Sequence, residues 1–306
     1  MPQILDGIAV RNEILARLKP RIAKLKRRPG LAVVLVGHNP ASEVYVRSKI
    51  KTCGEIDIFS DKLTPPETVT TDELLGVIAD LNHRPDIDGI LVQMPLPKHV
   101  DTRRVLESVA PDKDADGFHP VNVGHLVAGR PAPRACTPAG IMELLKYYKI
   151  PVDGRRTVVL GRSDIVGKPM ALMLLHENAT VTICHSRTTD LADECHRADI
   201  LVAAIGRAGM VTGEFLAPGA TVIDVGMNRV TDPLEAERLG RTEEFARKGS
   251  VLVGDVHPGD VARVASSYTP VPGGVGPLTI AMLMANTVAL AEQHQAAAST
   301  AGALVR

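Results

Sequence analysis

Two series of apolar runs alternate with amphipathic stretches along the chain. In the first half, "LAVVLVG" (31–37) and "DGILVQMPLP" (88–97) are continuous apolar runs of strand length. Helical periodicity predicts helices over residues 6–28 and 42–53, and a third that runs to about residue 82. Apolar strands that alternate with helices are typical of a parallel sheet covered on both faces. The first half is therefore predicted to be an α/β domain.

A second α/β series begins near residue 140. "RTVVLGRSDIVGKPM" has the pattern of a strand, a glycine turn and a helix, and the following apolar runs predict four more strands. These runs are "ATVTICHSRT", "ADILVAAIG", "ATVIDVGMN" and "SVLVGDV". The last predicted helix, residues 277–295, has a broad apolar face, and we expect it to pack on the first domain. The segment "TCGEIDIFSDKLTPPETVTT" (52–71) shows no strand-like pattern, and no strand is predicted there.

Composition and charge narrow the class of protein. The chain has 306 residues, enough for about two domains, and its hydrophobic content of 45% is ordinary for a globular protein. Lys+Arg and Asp+Glu both total 35, a balance that gives no general reason to expect nucleic acid or an anionic membrane as partner. The N-terminus has no basic start and no apolar run, so we expect no signal peptide and a cytoplasmic protein with reduced thiols.

The turn after "VVL" has the ingredients of a phosphate-binding turn. A strand runs into Gly161, Gly167 allows close backbone packing, and the following helix would point free N–H groups at a pyrophosphate. The spacing is not G-x-G-x-x-G, so the pattern by itself also fits a plain strand–helix turn. The exit of the next strand, "CHSRT", adds Ser186 and Arg187 where NAD sites usually carry a carboxylate. A hydroxyl and a guanidinium suit a 2′-phosphate, and Arg162 adds a second cation, which favours NADP.

A tyrosine and a lysine four residues apart stand in "SEVYVRSKIK" (42–51). On a helix, Tyr45 and Lys49 would share a face. A similar pair serves short-chain dehydrogenases, but there it follows the glycine turn, whereas here it precedes the turn by more than a hundred residues. We therefore assign the pair to a different domain from the nucleotide, facing the substrate. Such a pair is also common in ordinary surface packing.

The spacing of acidic, cysteine and histidine residues does not support a metal site. "DKDADG" (112–117) resembles the start of a calcium loop, but the twelfth position, which needs glutamate, is Val123. The Cys-His pairs at 184–185 and 195–196 fit no standard zinc spacing. We expect the four cysteines to be small core residues and no metal to be bound. Asp224, in "VIDVG", is expected to brace the end of a strand.

Six long stretches, in order, resemble the bifunctional methylenetetrahydrofolate dehydrogenase/cyclohydrolase family over almost the whole chain. They are "VGHNPASEVYVRSK", "DGILVQMPLP", "PDKDADGFHP", "GRSDIVGKPM", "VIDVGMN" and "TPVPGGVGPLT". The resemblance implies two domains around a cleft, an N-terminal α/β substrate domain and a C-terminal Rossmann-type NADP-binding domain. It implies a folate-binding domain of residues 1–138 plus 273–306 and a nucleotide domain of 139–272, in a homodimer.

The resemblance also implies an activity in one-carbon metabolism. The family oxidises 5,10-methylenetetrahydrofolate with NADP and hydrolyses the methenyl product to 10-formyltetrahydrofolate at one site. The residues that match its catalytic and substrate-binding positions are Lys49, Tyr45, Gln93 and Asp116, with Pro272, Gly273 and Gly274 bordering the folate. The positions that match the family's nucleotide contacts are Gly161, Arg162, Ser163, Ser186 and the backbone around Met227. Met227 stands where isoleucine is usual in the family. Arg187 is a further candidate for nucleotide binding, from its place at the exit of the strand.

Two other functions stay open on the residues alone. One is a different two-domain NADP oxidoreductase that acts on a small carbocyclic keto acid, with the same turn and other substrate residues. The other is a non-catalytic nucleotide-binding protein, against which Lys49, Gln93 and Asp116 count. Neither the balance of the two activities nor the role of Lys49, as a base or in positioning, follows from the sequence.

Overall fold

The structure, a computed structural model, describes residues 1–304, without the side chains of residues 41 and 301–304. The chain forms two compact units. The first unit comprises Asn12–Cys136 and the residues from Ile280 onward, and the second comprises Met1–Arg11 and Thr137–Thr279.

Strands and helices alternate through most of the chain. The strands are β1 (Gln3–Ile4), β2 (Gly30–Val34), β3 (Phe59–Leu63), β4 (Gly89–Val92), β5 (Arg156–Leu160), β6 (Thr180–Cys184), β7 (Ile200–Ala203), β8 (Thr221–Asp224), β9 (Asn228–Val230), β10 (Val251–Val253) and β11 (Ser267–Tyr268). The helices are α1 (Gly7–Ile22), α2 (Pro40–Glu55), α3 (Thr71–His83), α4 (Thr102–Ser108), α5 (Pro120–Val127), α6 (Cys136–Tyr147), α7 (Gly167–His176), α8 (Leu191–His196), α9 (Pro233–Arg238), α10 (Thr242–Lys248), α11 (Pro258–Val264) and α12 (Val275–Leu304).

The first unit contains a three-stranded parallel sheet in the order β3-β2-β4. Every residue of β2 and β4 is buried, as their continuous apolar runs predict. The expectation that residues 52–71 contain no strand is wrong, because β3 lies there and pairs with β2 in register along its length. Its sequence, FSDKL, is polar and only partly buried because β3 is an edge strand, so the apolar signal of a buried strand is missing.

The predicted helix over residues 6–28 is shorter in the structure and ends at Ile22. Two tight turns follow, closed by hydrogen bonds from Lys24 to Arg21 and from Leu25 to Ile22. Arg27 then binds both carboxylate oxygens of the fully buried Asp88, at 2.6 and 2.7 Å. A buried carboxylate needs such a partner, and Asp88 also accepts from the Gly30 N–H, so it holds the segment that leads from the helix into β2.

The second unit contains a six-stranded sheet in the order β1-β11-β8-β7-β5-β6, in which every pairing is parallel. The strand predicted from "SVLVGDV" forms as β10, but it lies outside this sheet and pairs antiparallel with β9. β1 and β11 have two residues each, too short to give a period in the sequence. Because β1 pairs with β11, the first residues of the chain belong to this unit.

The boundaries of the compact units fall at 11/12, 136/137 and 279/280. The predicted division at 138/139 and 272/273 concerns where folate and nucleotide functions begin, and it stays a prediction. The last helix packs on the first unit, as expected. The Cys53 Sγ on α2 lies 3.5 Å from the Met284 Sδ on α12, and Asn286 donates hydrogen bonds to the carbonyls of Ala115 and Arg134.

Helix α12 is longer than the predicted 277–295. Its segment Val275–Thr300 is the one helix among the described residues that is long and apolar enough to cross a membrane. More than half of its most apolar stretch is buried inside the protein, and Leu278, Met284 and Val288 are fully buried. The core helix of a globular protein meets the same criterion of length and composition, and the burial is that of a core helix.

Candidate active site

Helix α2 carries the predicted tyrosine and lysine. Asn39 accepts a hydrogen bond from the Ser42 N–H at the start of the helix, and Val46 and Cys53 turn one face toward the core. Lys49 lies on this buried side, with 7% of its surface exposed, and Tyr45 is 36% exposed. Burial raises the pKa of Tyr45, so its phenol is neutral at physiological pH. The helix therefore buries the Lys49 side chain and leaves the Tyr45 side chain half-exposed.

Gln93 is the direct partner of Lys49. It follows the end of β4, where its N–H donates to the Val34 carbonyl of the neighbouring strand. The Lys49 Nζ donates to the Gln93 Oε1 at 2.9 Å, and the Gln93 Nε2 donates to the Met94 carbonyl at 2.7 Å. The second bond holds the amide so that its oxygen faces the lysine. The carboxyl end of a parallel strand is where such sheets bind ligands.

Asp116 lies in the loop that follows α4 and runs parallel to β4. Burial raises the pKa of its carboxyl to about 7, while the nearby Lys49 ammonium acts to lower it and Asp114 acts to raise it. The loop is tied to β4 by the Ile90 N–H donating to Lys113 and the Ala115 N–H donating to Ile90. The structure thus brings Lys49, Gln93 and Asp116 together in the first unit.

Three residues that support this loop were missed from the sequence. The Asp114 carboxylate accepts hydrogen bonds from the N–H groups of Gly117 (3.0 Å) and His119 (2.8 Å) and from the Asn122 Nδ2 (2.9 Å). The Asn286 Nδ2 donates to the carbonyls of Ala115 and Arg134, on either side of the loop. Two of these residues had a signal in the sequence. Asn286 is a polar residue inside an apolar helix, and Asp114 is part of the "DKDADG" stretch that resembles the start of a calcium loop.

Cys136 was expected to be a core residue, and the structure places it in the electrostatic surroundings of Asp116 and Lys49. Its thiol is 3.5 Å from the Ala115 carbonyl, and all four cysteines are buried free thiols. Burial raises the pKa of Cys136 well above its ordinary value. A thiol that stays protonated is a poor nucleophile, so the chemistry of this cluster rests on the amine, the carboxyl and the amide.

The glycine turn lies at the topological switch of the second sheet. The chain leaves β5, passes to β6 on one side and then returns to β7 on the other, and ligands bind at such a point. Gly161, the first residue after β5, has a φ of +134°. A Cβ there would lie 2.2 Å from the Ala204 carbonyl oxygen, and one at Gly167 would lie 2.2 Å from the Gly161 carbonyl oxygen. Only glycine permits this close approach.

The start of α7 differs from the expected arrangement of free N–H groups. The Ser163 Oγ accepts from the N–H groups of Val166 (3.2 Å) and Gly167 (3.3 Å), and its carbonyl accepts from Lys168. The expectation that the N–H groups at the start of α7 are free to point at a pyrophosphate is therefore wrong, because Ser163, three residues before the N-cap Val166, already accepts their hydrogen bonds. The Ser163 hydroxyl can still donate a hydrogen bond to an anion, and the neighbouring Arg162 is exposed.

The exit of β6 lies next to this turn, since the Gly161 N–H donates to the Cys184 carbonyl at 2.9 Å. Ser186 and Arg187 form an exposed turn there, braced by the Arg187 N–H donating to the His185 Nδ1. The two exits therefore place hydroxyls and guanidinium groups on one end of the sheet. The β6 exit carries no carboxylate before Asp190, and the carboxylate of the glycine turn, Asp164, forms an ion pair with Lys168. This donor set fits a dinucleotide with a 2′-phosphate.

Met227 lies near the start of α12, which directly follows the loop at 272–274 in the second unit. The methyl group of Met227 is 3.0 Å from where a Cβ on Gly276 would stand. Gly273 has a φ of +106°, and its carbonyl accepts from the N–H of Gly7 at 3.0 Å. A Cβ on Gly7 would lie 1.7 Å from the Gly274 carbonyl oxygen, so the loop that follows Pro272 is fixed against the start of α1.

Asp224 braces the end of β8, as expected. Its carboxylate accepts from the N–H groups of Gly226, Asp255 and Val256, at 2.8 to 3.0 Å. Within the described residues, no group of three or more His, Cys, Asp or Glu side chains has the arrangement of a metal site.

The family models match both parts of the chain. Residues 5–116 match the catalytic domain of tetrahydrofolate dehydrogenase/cyclohydrolase, and residues 135–295 match the NAD(P)-binding domain of the same family. The chain belongs to this family. The predicted family and the two-domain α/β fold are thereby confirmed.

Individual relatives match this chain over nearly the full length of both sequences. The bifunctional protein FolD of Solibacter usitatus (strain Ellin6076) is 64% identical over 302 residues, covering 96% of this chain and 99% of the relative. The solved bifunctional FolD of Campylobacter jejuni is 43% identical, with a TM-score of 0.88, and covers 96% of this chain and 99% of its own. The FolD of Trypanosoma brucei, solved with NADP cofactor and an inhibitor, is 40% identical, with a TM-score of 0.86, over 96% and 99% of the two chains.

Membership of the tetrahydrofolate dehydrogenase/cyclohydrolase family decides between the functions that the residues left open. It supports a folate enzyme with a nicotinamide nucleotide, and it does not support an oxidoreductase of a keto acid.

Proposed function

We propose that the chain is a bifunctional enzyme that oxidises 5,10-methylenetetrahydrofolate with NADP and hydrolyses 5,10-methenyltetrahydrofolate to 10-formyltetrahydrofolate. One observation carries the assignment of the site: the buried Lys49 ammonium donates to Gln93 at 2.9 Å and lies within electrostatic reach of Asp116. A buried lysine fixed by an amide, beside a carboxyl of raised pKa, is the arrangement expected of a reaction centre and not of a packing contact.

Asp116 binds the pterin in this proposal. The pterin offers an amino group and a ring N–H, and one carboxylate accepts both hydrogen bonds. Burial raises the pKa of Asp116 to about 7 in the free protein, and two donors on the carboxylate act in the opposite direction. Substrate binding therefore favours the ionised form. Tyr45, half-exposed on the same helix face as Lys49, packs against the folate ring system.

The oxidation develops positive charge on the carbon between two nitrogens, so that step needs no strong base. Bound NADP supplies the hydride acceptor. Gly161 allows the turn to approach the nucleotide, and the Ser163 hydroxyl donates a hydrogen bond to a phosphate oxygen. Arg162, Ser186 and Arg187 bind the 2′-phosphate. The backbone around Met227 completes the nucleotide contacts, and Pro272, Gly273 and Gly274 border the folate by the family resemblance.

The hydrolysis needs water to add to the methenyl carbon, a proton to leave and one C–N bond to break. Lys49 is the group that accepts this proton, and the hydrogen bond to Gln93 holds the lysine side chain in place. This assignment gives the two activities different demands on the same residue, since only hydrolysis moves a proton through the amine.

A spectrophotometric assay tests the function. Purified protein with methylenetetrahydrofolate and NADP should form NADPH and an absorbing methenyl species, and should then consume the methenyl species. Parallel reactions with NAD and with methenyltetrahydrofolate alone separate cofactor preference and hydrolysis. Absence of NADPH formation would reject the dehydrogenase, and turnover of a carbocyclic keto acid instead would favour the alternative enzyme.

We also propose a cytoplasmic homodimer. β6 is an edge strand that pairs with β5 alone in the described part of the chain, and most of its side chains are exposed. Ile183 on this strand is 43% exposed, and Leu175 on the adjoining helix α7 is 56% exposed. An exposed, partly apolar edge is a template for pairing with a second copy. Sedimentation of the protein and of Ile183→Lys should show a dimer and its dissociation, whereas a monomeric wild type would reject the proposal.

A further inference from the structure

Asp255 binds the loop that follows β7. It stands just beyond β10 and is fully buried. Its Oδ2 accepts from the N–H groups of Ile205 (2.7 Å) and Gly206 (3.0 Å), and its Oδ1 accepts from the Arg207 N–H (2.8 Å) and the Asn228 Nδ2 (2.9 Å). All four partners are donors, and each carboxylate oxygen accepts two of them. The site is built for a carboxylate.

Asp224 holds Asp255 in its turn. The Asp224 Oδ1 accepts from the backbone N–H of Asp255 at 2.8 Å, and its Oδ2 accepts from Val256 at 3.0 Å. A Cβ on Gly254 would lie 1.7 Å from the Asp224 Oδ2, so the backbone before Asp255 is packed directly on this carboxylate. Burial raises the pKa of Asp224 to about 7. The two aspartates thus connect the end of β8 to the loop after β7.

That loop borders the glycine turn. β5 and β7 are neighbours in register, with Leu160 opposite Ala203. The Ala204 carbonyl oxygen lies 2.2 Å from where a Cβ on Gly161 would stand. The residues that Asp255 holds, 205–207, therefore come directly after the residue against which the turn is packed. A shift of this loop changes the space at the switch point.

We propose that Asp255, held by Asp224, is a positioning residue of the nucleotide site, which fixes the Ile205–Arg207 loop as one of its walls. This inference rests on the proposed function only in that the nucleotide is NADP. Asp255 acts through the loop and not through a contact with the reacting atoms. The predicted consequence of its loss is weaker binding of NADP, with hydrolysis of the folate substrate preserved because that reaction uses no nucleotide.

Asp255→Asn is the sharpest test because it preserves shape. The amide keeps one accepting oxygen, and in either orientation its NH₂ faces at least one backbone N–H donor. At least one of the four hydrogen bonds is therefore lost, even where the Asn228 amide rotates to present its oxygen. We expect the Kd for NADP to rise by about 10-fold or more, since each lost bond to the buried carboxylate position frees part of the loop that borders the glycine turn. Cyclohydrolase activity on methenyltetrahydrofolate should stay within about 2-fold of the wild type, because the hydrogen-bond partners of Asp255 are none of the residues that hold Lys49 and Asp116.

The matched control is Asp199→Asn. The Asp199 carboxylate accepts the Arg156 N–H at the opposite end of the same sheet, and we expect its loss to leave NADP binding unchanged. Amide hydrogen exchange supplies a local readout: Ile205, Gly206 and Arg207 should exchange faster in Asp255→Asn and not in Asp199→Asn. A structural defect without a link to the nucleotide would lower both activities together.

The outcomes separate the two proposals. NADP binding and loop exchange like those of the wild type in Asp255→Asn would overturn this inference, whereas a wild type that binds no NADP would overturn the proposed function. If Asp255→Asn does not fold, Asn228→Ala decides, because it removes one donor and leaves the three backbone bonds. A rise in the Kd for NADP with unchanged cyclohydrolase activity would support the inference, and an unchanged Kd would overturn it.

Discussion

The Lys49 ammonium and the Gln93 amide form a hydrogen bond of 2.9 Å between the middle of α2 and the end of β4. The two residues are 44 positions apart, and the fold brings them together because β4 lies beside β2, the strand that precedes α2. The second hydrogen bond of the amide, from its Nε2 to the Met94 carbonyl, orients the amide so that its oxygen faces the lysine. This geometry makes separate tests of the amine and the amide possible.

Lys49→Ala should reduce cyclohydrolase activity by about 100-fold or more, the usual size of a lost proton-transfer group. Dehydrogenase activity should fall much less, because hydride transfer requires no base. Both rates are measured on the same preparation, with methenyl- and methylenetetrahydrofolate as substrates. Equal loss of the two activities would instead assign Lys49 a positioning role. Lys51→Ala, an exposed lysine on the same helix, is the control and should change neither rate.

Arg162→Ala should raise the KM for NADP by about 10-fold and leave the KM for NAD nearly unchanged, because a guanidinium–phosphate contact is worth about 1.5–3 kcal/mol. The side chain is exposed beside the glycine turn, and NAD lacks the phosphate that it would bind. Arg197→Ala is the control, since this exposed arginine pairs with Glu194 on α8. An unchanged preference between the two nucleotides in Arg162→Ala would contradict the 2′-phosphate assignment.

Gly161→Ala should abolish NADP binding through the backbone. The residue has a φ of +134°, and the new Cβ would lie 2.2 Å from the Ala204 carbonyl oxygen, so either the turn or the loop after β7 must move. The Kd for NADP measures the effect. Gly54→Ala is the control, because a Cβ there meets nothing within 4 Å and the position is helical. Wild-type affinity in Gly161→Ala would show that the turn does not approach the nucleotide.

Asp116→Asn should stabilise the folate-free protein more at high pH than at low pH. Burial raises the pKa of this carboxyl from 3.8 to about 7, so the folded state binds more protons than the unfolded state between these values. The stability of the wild type therefore falls as the pH rises from about 4 to 7, and the loss is complete above pH 7. The asparagine does not titrate and lacks this loss.

Denaturant unfolding of both proteins at pH 5 and pH 8 measures the difference. We expect the gain in the free energy of unfolding of Asp116→Asn to be larger at pH 8 by about 1–3 kcal/mol, after allowance for the partial exposure of the side chain. Asp224, whose pKa is also raised by burial, titrates in both proteins and cancels in the comparison. A gain that is independent of pH would contradict the raised pKa. Loss of folate binding should accompany the gain in stability.

The elements with strong periodicity were predictable, and those defined by their partners were not. β2 and β4 are apolar on both faces because both faces are buried, which leaves a continuous run in the sequence. β3 is a polar edge strand, and β1 and β11 are two residues long, so only pairing with a neighbour makes them strands. β10 had the apolar run of a sheet strand, but its partner is β9.

The candidate site shows the same division. The sequence by itself determined the family, the helix that carries Tyr45 and Lys49, and the glycine turn, because each depends on residues that are close along the chain. Only the tertiary structure decided that Asn286 holds the loop of Asp116 and that Asp255 holds the loop after β7. These are hydrogen bonds between residues that are distant along the chain. They leave no period or spacing in the sequence, because the partner of a buried polar group is set by which elements the fold brings alongside it.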